Sequence, residues 1–215
     1  MVKKTQPQAQ TCICNKESRQ IIDQGVEVKA NKNRLLLHSC CGPCSTACVE
    51  RLVPVYKVTV FFYNPNITDR DEYEKRKKAQ IDFINKYNEK LPDEDRIEFI
   101  EGEYMPEEFY SKVKGLESEP EGGSRCTECF RLRLVRTAQA AIRTGNQLFG
   151  TTLTVSPHKN YNIISAIGCE IANTCGLEFL DMDFKKKAGF QRSIQMSKEY
   201  GLYRQNYCGC EFSKR

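Results

Sequence analysis

Apolar residues in this chain fall into short runs separated by longer segments with helical spacing. Leu35, Leu36 and Leu37 run into His38 and stop at Ser39-Cys40-Cys41-Gly42-Pro43-Cys44, after which Ser45 to Leu52 has helical character. The pattern predicts a buried strand, a tight turn and a helix. The unit recurs: Tyr56 to Tyr63 is β-branched and aromatic, Asn64-Pro65-Asn66 is a turn, and Asp71 to Asn88 carries Tyr73, Ile81, Phe83, Ile84 and Tyr87 at helical intervals. Ile97 to Ile100 predicts a third strand, followed by a helical segment with Phe109, Tyr110 and Val113. Cys126 to Thr144 is strongly helical and ends at Gly145. Gln147 to Leu153 reads as a strand, Tyr161 to Asn173 as a helix and Leu177 to Met182 as the last strand.

Strands alternating with helices imply parallel βαβ units and a sheet covered on both faces. The expected fold class is therefore α/β, a doubly wound parallel sheet whose ligands bind beyond the carboxyl ends of the strands. The turns at Cys40–Cys44, Tyr63–Asn66 and Thr154–Lys159 follow strand ends and are expected to share one pocket. Residues 1–33 are polar, without apolar periodicity, and read as a partly ordered arm; residues 34–215 read as a single domain. The acidic stretch from Asp93 to Glu121 reads as a solvated surface.

Composition narrows the picture. With 40% hydrophobic and 28% charged residues, the 215-residue chain is neither disordered nor fibrous. No apolar run reaches the roughly 18–20 residues of a membrane helix, and Met1 to Gln10 lacks a signal core, so a cytoplasmic protein with no membrane partner is expected. Thirty-three Lys and Arg against 28 Asp and Glu leave a net charge of +5, which allows a polyanionic partner without requiring one.

The 12 cysteines change the picture most, because they cluster. Cys40-Cys41-Gly42-Pro43-Cys44, Cys126-Thr127-Glu128-Cys129 and Cys208-Gly209-Cys210 together supply seven thiols. Cys126 and Cys129 share one face at a helix start, where the helix dipole favours thiolates. Gly42-Pro43 and Gly209 let their neighbouring thiols converge. One tetrahedral zinc or one four-iron cluster takes four thiolates, so seven suggest a cluster beside a second metal or beside a redox-active thiol pair. A four-cysteine zinc site with the other thiols packed as small hydrophobes is the plainer alternative. Cys48, Cys169 and Cys175 read as core, and Cys12 and Cys14 lie on the polar arm.

Six motifs in order make a more specific match: His38 to Cys44; Phe62-Tyr63-Asn64-Pro65-Asn66-Ile67; Arg125-Cys126 through Leu134; Thr151-Thr152-Leu153 with Ser156-Pro157-His158-Lys159; Asp183-Phe184 with Lys186; and Tyr207-Cys208-Gly209-Cys210. From about Leu35 to Ser213 the chain resembles the QueH family, the cobalamin-independent epoxyqueuosine reductases. The resemblance implies a Rossmann-like fold of the HUP type, a 4Fe-4S cluster with an adjacent metal ion, and reduction of epoxyqueuosine to queuosine at the wobble position of tRNA. It places metal ligands at Cys40, Cys41, Cys126, Cys129, Cys208 and Cys210, with Cys44 completing the set. Cys126, Cys129, Cys208 and one of the Cys40–Cys41 pair, taken as Cys41, are assigned to the cluster. The other, Cys40, is assigned with Cys44 and Cys210 to the second metal, iron or alternatively zinc. Some relatives carry an acidic residue where Cys44 stands, which leaves a thiolate or an oxygen ligand open there.

Removing an epoxide oxygen requires two electrons and two protons. The electrons would come from an unidentified donor, and the proton-donor candidates are Tyr63, His158 and water. His38, inside an apolar strand, reads as a satisfied core residue. Asn64 and Asn66 offer amides to a hydroxylated ring or make the turn; Arg131, Lys159 and Arg192 are further candidates for holding tRNA. Lys75-Arg76-Lys77-Lys78 reads first as an exposed helix face, and Arg133, Arg136 and Lys185 to Lys187 add to the basic inventory. Two rivals remain. An ATP-dependent tRNA thiolation enzyme of HUP-like fold needs a Gly-rich phosphate loop after the first strand, where this chain has Cys40 to Cys44. A zinc-stabilised RNA-binding protein without catalysis would be colourless, whereas an iron-sulfur protein is brown.

Overall fold

The computed structural model describes residues 32–214, so residues 1–31 of the expected arm, with Cys12 and Cys14, lie outside the described residues, and Asn33 already belongs to the first strand. Five parallel strands form one sheet: β1 (Asn33–His38), β2 (Tyr56–Phe62), β3 (Glu98–Glu101), β4 (Leu148–Thr151) and β5 (Glu178–Phe179), in the order β3-β2-β1-β4-β5. The helices are α1 (Gly42–Leu52), α2 (Arg70–Asn88), α3 (Pro106–Val113), α4 (Ser124–Arg143), α5 (Tyr161–Cys175) and α6 (Gly189–Glu199). This is the expected α/β architecture, with helices on both faces.

The continuous apolar run of β1 explains its central place. Leu35 and Leu37 pack on one face with Val49 and Leu52 of α1, Phe83 of α2 and Met196 of α6. Leu36 points the other way, onto a core that includes Phe109 of α3, Leu134 and Ala138 of α4 and Ile167 of α5. A strand buried on both faces has no place for polar alternation, so its sequence reads as a run. In register, Leu37 stands between Val60 of β2 and Gly150 of β4.

The chain runs outward from β1 to β3 and then returns to place β4 on the other side of β1. That reversal opens a crevice beyond the carboxyl ends of β1 and β4, where such sheets bind ligands. Three expectations change. Leu153–Val155 forms a 3-10 turn rather than extending β4, β5 keeps only two residues, and α6 replaces a segment that carried no predicted element. In α6 the buried face is made by Gly189, Ser193 and Ser197, which are small, with Met196 as its one large apolar member, so it packs on α1 without an apolar stripe.

Candidate metal centre

The turn after β1 builds the first thiol group. Gly42 sits where α1 meets α2, and a Cβ there would stand 2.5 Å from the Ala79 carbonyl oxygen. Ser39 Oγ donates to Gln80 Oε1 at 2.6 Å, and Gln80 Nε2 donates to Ser45 Oγ at 2.9 Å, which pins the turn to α2. The Sγ atoms of Cys40, Cys41 and Cys44 converge within 4.8 Å of one another, close enough to bind one metal ion. Cys40 and Cys41 are the nearer pair at 3.9 Å.

These thiols titrate as one unit. Hydrogen bonds from Cys41 and Cys44 hold Cys40 well below the usual thiol range, aided by Lys159 and Arg133. Burial and the neighbouring anion push Cys41 well up, and Cys44 rises to about 12, chiefly through its bond to Cys40. The first proton therefore leaves the triad more readily than the others, and a metal would displace those that remain.

The second group joins the start of α4 to the C-terminal loop. Cys126 and Cys129 lie in the first turns of α4, and the Gly122 amide donates to Cys126 Sγ at 3.2 Å. Cys129 is pushed up to about 12, first by burial and then by the neighbouring Cys208, Cys210 and Cys126 against the opposing pull of Arg133. Cys210 likewise is raised by burial and feels Cys208 and Cys126. The loop that carries Cys208 and Cys210 is held by Arg76, whose guanidinium donates to the carbonyls of Cys208 and Tyr207. Gly209 makes that turn at φ +118, and a Cβ there would lie 2.9 Å from Ile67 and 3.0 Å from Arg76. Cys41, expected with Cys126, Cys129 and Cys208, therefore stands with Cys40 and Cys44. Cys210, expected with Cys40 and Cys44, stands among the others.

A cavity of about 630 Å³ opens on both groups, lined by Cys40, Cys44, Cys208, His158, Lys159 and Gln205 among others. His158 is exposed at its wall. The Lys159 ammonium is opposed by burial, yet Cys208, Cys40 and Cys44 raise its pKa strongly. Several lining residues escaped the sequence reading, Gln205, Phe190 and Arg204 among them. Gln205 donates from Nε2 to Cys41 Sγ at 2.9 Å, and Phe190 of α6 carries the Arg204 guanidinium 5.3 Å from its ring centre. None belongs to a recognisable motif, and only the fold brings the loop to the thiols.

Other candidates, Arg76 apart, lie away from the cavity. Tyr63 donates its hydroxyl to Glu108 of α3 at 2.5 Å, and Arg136 of α4 binds the same carboxylate. Asn64 donates to the Ser39 carbonyl at 2.9 Å and Asn66 is buried, so both belong to the wall behind the turn. Arg131 pairs with Glu170, and Arg192 clamps α6 to α1 through Glu50. The basic run on α2 divides: Lys75 and Lys78 are exposed, but Arg76 is 1% exposed and pairs with Glu72. His38 is a core residue as expected, held by Thr151 and the Tyr63 carbonyl; burial and then Arg133 lower it to about 3. Among the described residues no helix is long and apolar enough to cross a membrane.

The match to known proteins covers this whole site. The family model for epoxyqueuosine reductase QueH matches residues 35–215. The chain belongs to the QueH family. Proteins named epoxyqueuosine reductase QueH from Staphylococcus epidermidis and Streptococcus pyogenes are 43% and 41% identical, over 93% and 88% of this chain and 83% and 73% of their own lengths. The relative of that name from Thermotoga maritima is 39% identical over 83% of this chain and 89% of its own. In this QueH protein the matched segment holds both thiol groups and every residue named above as lining the cavity.

Proposed function

We propose that this chain reduces epoxyqueuosine to queuosine in the anticodon loop of tRNA, in the cytoplasm, with Cys126, Cys129, Cys208 and Cys210 holding a 4Fe-4S cluster and Cys40, Cys41 and Cys44 an adjacent metal, iron rather than zinc. The observation that carries this reading is the convergence of Cys40, Cys41 and Cys44 on one point at the edge of a cavity that also reaches Cys208. The donor set fits such centres: four thiols in mutual electrostatic contact, and the buried Arg133 whose Nη1 and Nη2 have no partner of their own. Bound there, the cluster would supply electrons singly and the second metal would polarise the epoxide oxygen.

The residues of the chain account for the rest. Two electrons from an external donor and two protons convert the epoxide to an alkene and release its oxygen as water. His158 is taken as the proton donor because it is exposed at the cavity wall, whereas the Tyr63 hydroxyl is committed to Glu108. Gln205 fixes the orientation of Cys41. Lys159 and Arg204 give the cavity positive charge for an anticodon loop, whose modified base must leave its stack to enter.

The test is anaerobic purification with metal analysis and an absorption spectrum, followed by incubation with reductant and tRNA bearing epoxyqueuosine. About four or more irons per chain and a nucleoside that has lost one oxygen are expected. A colourless zinc protein that leaves the nucleoside unchanged would overturn the reading in favour of a zinc-stabilised RNA-binding protein.

A further inference from the structure

Arg133 occupies an unusual position for a cation. It lies on α4 one turn after Cys129, is 1% exposed, and donates from Nε to the Cys129 carbonyl at 3.1 Å. Its guanidinium rests 5.6 Å from the centre of the Phe130 ring. Nη1 and Nη2 are buried without a hydrogen-bond partner. A buried charge with unmade hydrogen bonds is costly, and structural arginines in protein interiors are paired with carboxylates. Arg76 shows that arrangement with Glu72, and the buried Arg125 spends its Nη1 on the main-chain carbonyls of Glu117 and Glu119.

The groups around Arg133 are thiols instead. Its charge is opposed by burial and sustained by Cys129, Cys208, Cys40 and Cys126. Its field reaches Cys40 of the first thiol group as well. One buried cation therefore acts on both thiol sets. Arginine suits the place better than lysine, because its planar fork offers several donors and is more weakly hydrated.

We propose that Arg133 is a positioning residue that tunes the iron-sulfur centre, its two unpartnered Nη groups donating to the anionic sulfur gathered by Cys126, Cys129 and Cys208 and thereby raising the centre's reduction potential. The inference rests on the cluster reading above. Adding an electron makes a thiolate-bound cluster more negative. A buried cation stabilises that reduced form, and hydrogen bonds to sulfur act in the same direction. Without Arg133 the cluster would be harder to reduce by whatever donor serves it. Arg133 itself lies outside the cavity lining, so its effect on substrate binding is expected to be small.

The experiment is a redox titration of anaerobically prepared holoprotein, followed by electron paramagnetic resonance, for the wild type and Arg133→Met, Arg133→Gln and Arg133→Lys. The two neutral replacements guard against misfolding of either, and iron content and circular dichroism are read in parallel. We expect the neutral variants to fold and to carry iron. Their equilibrium constant for one-electron reduction should be at least tenfold lower, about 59 mV in midpoint potential, with Arg133→Lys between them and the wild type. Loaded neutral variants with the wild-type potential would overturn the proposal while leaving the cluster reading intact. So would folded neutral variants that hold no cluster, since the guanidinium would then serve assembly. A wild-type protein without iron would bring down the cluster reading and this inference together.

Discussion

Arg76 on α2 donates from Nη1 to the main-chain carbonyl of Cys208 at 2.9 Å, across 132 residues of sequence. Nε of the same guanidinium binds Glu72 at 2.7 Å, so its fork is fixed in direction before it reaches the loop. Arg76→Leu should therefore strike stability and metal retention together. Glu72 would keep a buried charge without its cation, at a cost of about 3–5 kcal/mol. Urea unfolding of the apoprotein reads the first effect, and iron per chain after anaerobic gel filtration reads the second.

The two thiol groups predict two phenotypes. Cys126→Ser and Cys208→Ser are expected to lose the visible absorption and most of the iron. Cys44→Ser is expected to keep the chromophore, lose about one metal per chain and lose turnover. If Cys44→Ser bleached the protein and Cys210→Ser did not, the grouping of thiols would be the reverse of the one drawn from their positions.

His158 and Arg192 should separate by assay. His158→Gln is expected to lower single-turnover conversion of epoxyqueuosine roughly 100-fold while tRNA binding and stability hold. Arg192→Ala removes the ion pair to Glu50 instead and is expected to cost about 1 kcal/mol or less, with turnover and tRNA affinity unchanged. Filter binding and rapid-quench analysis of nucleosides distinguish them.

Gly209→Ala places a Cβ where φ is +118 and Ile67 and Arg76 already stand. The expected cost is about 1–3 kcal/mol, with iron lost faster to a chelator than from the wild type. Gly145→Ala, also at positive φ but with open space around it, should be destabilised without faster iron loss.

The Tyr63–Glu108–Arg136 contact makes a pH-dependent contribution. Burial opposes the Glu108 carboxylate, but Tyr63 and Arg136 outweigh it and hold its pKa below the ordinary 4.5. The unfolded chain therefore binds the proton more readily, and the contribution is present above about 4.5 and fades as pH falls through the lowered folded value. Glu108→Gln should be less stable than the wild type at pH 6, and the gap should narrow toward pH 4 in urea titrations.

The alternation of strand and helix was legible because β1 reads as an apolar run of three leucines and β2 as a β-branched and aromatic segment, both largely buried. Helix α6 was not, since Ser193 and Ser197 hide its buried face behind polar letters. All seven thiols could be named from their spacing, but spacing cannot say which segments meet in space. The Cys41 and Cys210 groupings depended on how the C-terminal loop docks. Isolated arginines were the least legible: Arg76, Arg133, Arg131 and Arg192 look alike in sequence. Their surroundings follow from depth and partners: a fixed loop carbonyl for Arg76, burial with unpartnered Nη groups for Arg133 and surface carboxylates for the other two.

Gln205 reaches Cys41 across 164 residues of chain. The centre proposed above draws on distant parts: the unfolded polypeptide offers a metal only the separate groups Cys40-Cys41-Cys44, Cys126-Cys129 and Cys208-Cys210, scattered along the chain. Metal capture then reports on the finished topology: the sheet must be ordered and the C-terminal loop seated before the full ligand set exists. Oxidative loss of the centre would in turn release a clasp between the two ends of the fold, coupling the redox history of the protein to its resistance to proteolysis.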